Sequence, residues 1–219
     1  MSDAETTGPR LTSKGRATRD RILGVAADLI LEHGVAGTGI EDVRKAAGVS
    51  GSQMTHYFTD KRSLVKAVVC AQADSTIENH RHPDLGALDT FEALELWAEM
   101  QVGVMLEREC VGGCVFGSLA GQLVETDADF RADLASGFDR WLGMFRDGLA
   151  AMKERGDLRE DADPEKLACS LLGAQQGGML LAQTFRDPAP LRASLSAALA
   201  HLHTFASDPA VAARTNFRL

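Results

Sequence analysis

Aromatic side chains are scarce in this sequence: Phe, Trp and Tyr together make up 5% of its 219 residues, with a single tyrosine, and proline occurs only six times. A β-sandwich draws its core from aromatic and β-branched residues, so this poverty, set beside abundant Ala, Leu and Gly, favours helices. No apolar run approaches the roughly 18 residues that cross a bilayer, and the polar stretch from Met1 to Asp20 has no apolar signal core. Neither secretion nor a membrane span is expected. The four cysteines, Cys70, Cys110, Cys114 and Cys169, therefore read as reduced cytoplasmic thiols rather than a disulfide framework. Also missing are a phosphate loop, a dinucleotide fingerprint, a Gly-x-Ser-x-Gly elbow and a His-Glu-x-x-His pair, which argues against an enzyme and calls for no cofactor. His80-x-His82 and His201-x-His203 lack the Cys or carboxylate companions of a structural zinc site, so no metal is expected.

What is present is unevenly distributed. The formal net charge of −8 conceals a basic stretch over residues 10 to 66, with ten Lys/Arg against six Asp/Glu, and an acidic stretch over residues 67 to 219, with 13 against 23. Such an asymmetry suits a small head that meets a polyanion and a larger body that does not.

Helical periodicity and capping residues divide the chain. Residues 1–16 read as a flexible arm. A first helix follows, capped by Thr18, with Ile22, Leu23, Ala26, Leu29 and Ile30 on one face and a stop at Gly34. Thr38 and Glu41 have capping-box spacing for a short second helix; after Ala47-Gly48-Val49, Ser50 caps a third, and Thr59 or Asp60 caps a fourth from Lys61. Two short helices around a glycine turn make a helix-turn-helix. Five longer helices are expected at about 89–109, 114–125, 127–155, 164–186 and 188–206, with Leu134, Phe138, Trp141, Leu142 and Phe145 marking one face. The fold class is all-α, with about nine helices: a three-helix head over 17–64, a body over 65–206 for ligand binding and dimerisation, and a loose tail over 207–219.

The head resembles a known family. Thr18-Arg19, Ile22-Leu23, Ala26-Ala27, Leu29-Ile30, Gly34-Val35, Thr38, Ile40, Val43, Ala47-Gly48-Val49-Ser50, Tyr57-Phe58, Lys61 and Leu64 look like the DNA-binding signature of the TetR (tetracycline repressor) family. The sequence departs from that pattern at Gly39, Ser52 and Thr55. The resemblance implies an all-helical dimer whose variable body binds an inducer and thereby releases a palindromic double-stranded operator. Read physically, residues 50 to 57 place Ser50, Ser52, Gln53, Thr55, His56 and Tyr57 on a recognition helix, with Gln53 suited to an adenine edge and Thr55 to a thymine methyl or a phosphate. Thr38 and Lys61 stand at helix starts, where phosphate oxygens are favoured, and Lys14 and Arg16 extend the footprint.

In the body, Trp97, Met100, Met105, Phe116, Phe138, Trp141, Phe145 and Met179 offer an adaptable lining for a small, mostly apolar inducer. Gln175 and Gln176 interrupt an apolar helix, and a buried amide there needs a partner in a ligand, another subunit or a neighbouring helix. A homodimer through residues 164–206 is expected, because Leu167, Leu171, Leu172, Leu180, Leu181, Leu191, Leu195, Leu199 and Leu202 exceed what one body needs to cover. Cys110 and Cys114, the latter at a helix start, leave a redox-sensing repressor as one alternative, and a ligand-independent DNA-binding regulator as another.

Overall fold

The computed structural model of the chain describes residues 12–214, 217 and 219. Among these, ten α-helices and one short 3₁₀ turn occur and no strand forms, so the all-α reading holds. The chain divides into two compact units at Ala71 and Gln72, about two helical turns beyond the expected boundary at residue 64.

In the first unit, α1 spans Ser13–Gly37 and buries Ile22, Leu23, Ala26, Ala27 and Ile30. Its cap is Thr12, whose Oγ1 accepts the Gly15 N–H at 3.1 Å. Thr18, expected in that role, lies inside the helix and donates its hydroxyl to the Lys14 carbonyl at 3.0 Å. Residues 13–16, expected as arm, are thus helical; a polar first turn leaves no apolar period to betray it. Residues 1–11 of the expected arm lie outside the described residues. Gly34 kinks α1 at φ 73°. That left-handed backbone leaves the Gly34 carbonyl to the Thr38 hydroxyl, which donates to it at 2.9 Å. Thr38 is therefore buried and does not cap α2 (Ile40–Ala46), where the Asp42 carboxylate instead accepts the Gly39 N–H at 3.2 Å. After a turn through Gly48 at φ 63°, α3 spans Gly51–Tyr57. Asp60 then caps α4 (Lys61–Asn79), its Oδ1 accepting the Ser63 N–H at 2.7 Å. Leu64, Val65, Val68 and Val69 are buried, so the first half of α4 completes this unit.

The second unit comprises the end of α4 and α5 (Phe91–Glu107), α6 (Val115–Leu123), α7 (Ala128–Arg155), α8 (Pro164–Phe185), α9 (Ala189–His203) and α10 (Pro209–Ala212). Thr90, Cys114, Asp127 and Asp163 cap α5 to α8 with side-chain acceptors, and Gly156 in the left-handed region ends α7. The α8 helix packs against both α7 and α9. Two glycines set the closest approaches to neighbouring backbone: a Cβ on Gly148 would lie 2.4 Å from the Leu88 carbonyl oxygen, and one on Gly178 would lie 2.9 Å from the Leu191 Cα. The expected loose tail is partly ordered. Arg214 meets Glu95 at 3.1 Å, and the rings of Phe217 and His203 lie 4.9 Å apart; residues 215, 216 and 218 lie outside the described residues.

Candidate functional site

Local chemistry builds the outer face of α3. Met54 and the following Phe58 are the buried anchors, with Arg19 stacked 5.8 Å from the Phe58 ring. Ser52, Gln53, Thr55 and His56 are exposed, and Tyr57 is half-buried with its ring edge-on to His56 at 5.0 Å. A capping box starts the helix: the Gln53 N–H donates to Ser50 Oγ at 3.1 Å, and the Ser50 N–H donates to Gln53 Oε1 at 2.9 Å. The Ser50 and Ser52 hydroxyls lie 3.0 Å apart, and Thr55 Oγ1 donates to the Gly51 carbonyl at 3.0 Å.

The cations around this face differ in their commitments. Lys14 and Arg16 are exposed on the first turns of α1. Lys61, expected to point at phosphate, places its Nζ 3.1 Å from the Ala36 carbonyl. Arg44, which the sequence reading passed over, holds the turn together: Nε and Nη2 grip Glu41 at 2.7 and 2.6 Å while Nη1 donates to the Val49 carbonyl at 3.0 Å. That hydrogen-bonded fork holds the Glu41 carboxyl below its ordinary value.

Most of the body's expected ligand lining is buried among its own aromatic neighbours. Trp97, Met105, Phe116, Trp141 and Phe145 are fully buried; Trp97 meets Phe145 edge-on at 4.8 Å, and Phe138 stacks at 6.1 Å on Trp141 and lies 4.7 Å from Phe116. Met100 is half-buried. At the centre sits His80, a residue weighed in the sequence only as a metal ligand. Its Nδ1 lies 2.7 Å from the Thr76 carbonyl and its Nε2 accepts the Trp141 indole N–H at 3.1 Å. Burial pushes the His80 pKa down.

An open groove of about 740 Å³ lies instead between α6 and α8, lined among others by Cys114, Ser118, Gln122, Gln176, Met179, Gln183 and Arg186. Of the eight residues expected to line a ligand site only Met179 belongs to it, together with Gln176 of the glutamine pair. The two glutamines find interhelical partners: Gln176 Nε2 donates to Gln175 Oε1 at 2.6 Å and to Cys114 Sγ at 3.5 Å, and the buried Gln175 donates to Gln101 Oε1 on α5 at 3.2 Å. An amide chain therefore runs from the groove wall into the core. Cys114 caps α6, its sulfur also accepting the Gly117 N–H at 3.3 Å, whereas Cys110 is buried. Seven of the nine leucines expected to form a dimer face are buried within a single chain; Leu180 and Leu181 stay exposed, together with Phe185. The described residues hold no cluster of metal-ligating groups and no helix long and apolar enough to cross a membrane.

A helix-turn-helix with a polar outer face, followed by an all-helical body with an open groove, defines a class of DNA-binding regulator. Comparison with known proteins makes this specific: residues 22–68 match the bacterial regulatory proteins of the tetR family, and residues 90–198 match the tetracyclin repressor-like C-terminal domain. The chain belongs to the TetR family of transcriptional regulators and carries its DNA-binding domain. It is 23% identical over 180 residues to the HTH-type transcriptional repressor DhaR of Mycobacterium sp. (strain GP1), covering 79% of this chain and 86% of that protein. The transcriptional regulator AcuR of Cereibacter sphaeroides is 25% identical over 189 residues, 84% of each chain. The crystal structure of regulatory protein TetR from Rhodobacter sphaeroides shares the fold with a TM-score of 0.75 at 24% identity, over 84% of this chain and 98% of that one.

Proposed function

We propose that the protein is a cytoplasmic homodimeric repressor that binds a palindromic operator through α3 and leaves it when a small molecule occupies the body. The observation that carries the DNA reading is the side-chain division of α3, in which Met54 faces inward while Ser52, Gln53, Thr55 and His56 are all exposed. Lys14, Arg16, Ser50 and Tyr57 supply backbone contacts at its margins. Lys61 joins them because its exposed bond to the Ala36 carbonyl is one a phosphate outcompetes, whereas Thr38 serves the kink in α1.

Dimerisation is supported by α8, whose exposed Leu180, Leu181 and Phe185 adjoin the small exposed residues Gly173 and Gly177. The groove between α6 and α8 is the cavity offered to an effector. Its amides, hydroxyls and single guanidinium beside Met179 suit a molecule with both apolar and hydrogen-bonding parts, in place of the mostly apolar one expected from the aromatic residues. Gln176 and, behind it, Gln175 would report occupancy to α5.

Enrichment of duplexes from a random pool with the purified protein tests the central claim. A palindromic site bound with an affinity that falls steeply as salt rises is the expected result; failure to enrich any sequence would overturn it. Cys114 supports a second reading, because two N–H donors face its sulfur on the groove wall. In that case a thiol modification, rather than reversible binding, triggers release, and Cys114→Ser abolishes the response to oxidant while operator binding persists.

A further inference from the structure

We infer that the groove between α6 and α8 is half of a site, completed by a second copy of this chain laid over α8. This rests on the reading of α8 as the dimer face. One chain supplies two walls and no roof. The α8 wall is divided by depth: Met179 is buried and Gln176 and Gln183 are half-buried, whereas Gly177, Leu180 and Thr184 are exposed along its outer lip. Facing them, Gly121 and Gln122 form the exposed lip of α6. A Cβ added to Gly121 or to Gly177 would meet nothing within 4 Å, so each lip carries bare backbone with no group of its own chain above it. A small-molecule site buries most of its occupant, and an open trough of about 740 Å³ does not.

The outer lip of α8 belongs to the surface read as the dimer contact. Gly177, Leu180 and Thr184 recur at i, i+3 and i+7, on one helix face with Gly173. Leu180 serves both surfaces: it lines the groove, and at 63% exposure it opens the apolar patch continued by Leu181 and Phe185. That patch cannot be covered without covering the lip. Charge then names the cover. From Leu167 to Phe185 the helix has no Asp, Glu, Lys or Arg, in a chain where such residues make up 25%. Loss of charge marks the centre of an interface rather than a solvated face. A neutral face fits itself, and in a two-fold pair the same patch lies on both sides of the contact.

Covering Leu180 therefore closes the groove, and the effector site exists only in the paired chains. An effector that touches both copies binds the dimer more tightly than the single chain, and by reciprocity it strengthens the dimer by the same factor. Operator release then proceeds in an intact dimer.

Iodoacetamide labelling of the full chain, read at each cysteine by mass spectrometry, tests the roof, because Cys114 is half-buried on the groove wall. In the native dimer Cys114 should alkylate about tenfold or more slowly than in the Leu181→Arg monomer or in native protein diluted to monomers. Cys70, exposed on α4, should react at one rate throughout. Gly121→Arg is a second test, placed on the helix that a contact through α8 alone would not touch. A single chain has open space there, so its helical circular dichroism should be unchanged, while a roof resting on α6 is pushed away and dimer affinity falls about tenfold or more. Equal Cys114 rates in dimer and monomer would overturn the inference, as would a Gly121→Arg dimer of undiminished affinity, and either result decides it alone. A native chain that sediments as a monomer at every concentration fails earlier, at the reading of α8 itself.

Discussion

His80 shows what one residue does when burial and hydrogen bonding agree. A bond from Nδ1 to the Thr76 carbonyl requires the proton on Nδ1, which leaves Nε2 as the acceptor for the Trp141 indole N–H. The imidazole is thus satisfied as the neutral form, and burial lowers its pKa from the ordinary 6.5. The unfolded chain then takes up a proton below about pH 6.5 that the folded chain does not. Stability is flat above that pH and falls as pH drops toward the folded value. Thermal melts from pH 8 to 5 should show this loss in the native protein and a shallower one in His80→Gln. The hydrogen-bonded carboxyls of Asp60 and Asp163, held below their ordinary 3.8, lose their contribution only at lower pH, so the two windows separate. Trp141→Phe leaves Nε2 buried without a donor and should cost about 1–3 kcal/mol in a denaturant melt at neutral pH. None of this was legible in the sequence, because no local rule links two positions 61 residues apart.

Helices, by contrast, were legible wherever an apolar period and a cap coincided. The expectation of 127–155 for α7 met Ala128–Arg155, and 164–186 for α8 met Pro164–Phe185, each started by an Asp and ended by backbone in the left-handed region. The first turn of α1 and the four-residue α10 escaped notice because neither carries a buried stripe. Which glycines serve helix contacts was also hidden, since their role depends on the neighbour. Gly173 has nothing within 4 Å of an added Cβ, so Gly173→Ala should raise the stability of a single body by a few tenths to about 1 kcal/mol through helix propensity. Gly178→Ala gains the same propensity but drives a methyl to 2.9 Å from both the Cα and a Cδ of Leu191. Overpacking of about 1–3 kcal/mol should win, separating α8 from α9, and urea melts of the pair should move in opposite directions.

At the scale of the molecule, leucine counting overstated the apolar surface that one body leaves uncovered. Leu167, Leu171, Leu172, Leu191, Leu195, Leu199 and Leu202 looked like surplus for a second subunit, yet each is buried within its own chain, because α8 faces α7 on one side and α9 on another. Sequence periodicity reports that a face is apolar, not which neighbour covers it. The surplus that remains is Leu180, Leu181 and Phe185, at 63, 44 and 65% exposure. Burial of that patch against a second copy is what the proposed dimer requires, and it sets the last prediction. Leu181→Arg puts a charge into the proposed contact while suiting the C-terminal half of its helix, so one body should keep its fold. Sedimentation at micromolar concentration should then show a monomer, and helical circular dichroism should be unchanged. Operator affinity should fall by about 10²-fold or more, because a monomer forfeits the effective concentration that a second head gains once the first is seated. Binding to a single half-site, which never used the second head, should stay the same. A Leu181→Arg protein that sediments as a dimer and keeps full operator affinity would move the contact elsewhere; one that becomes monomeric yet binds the palindrome undiminished would show that the two heads act independently.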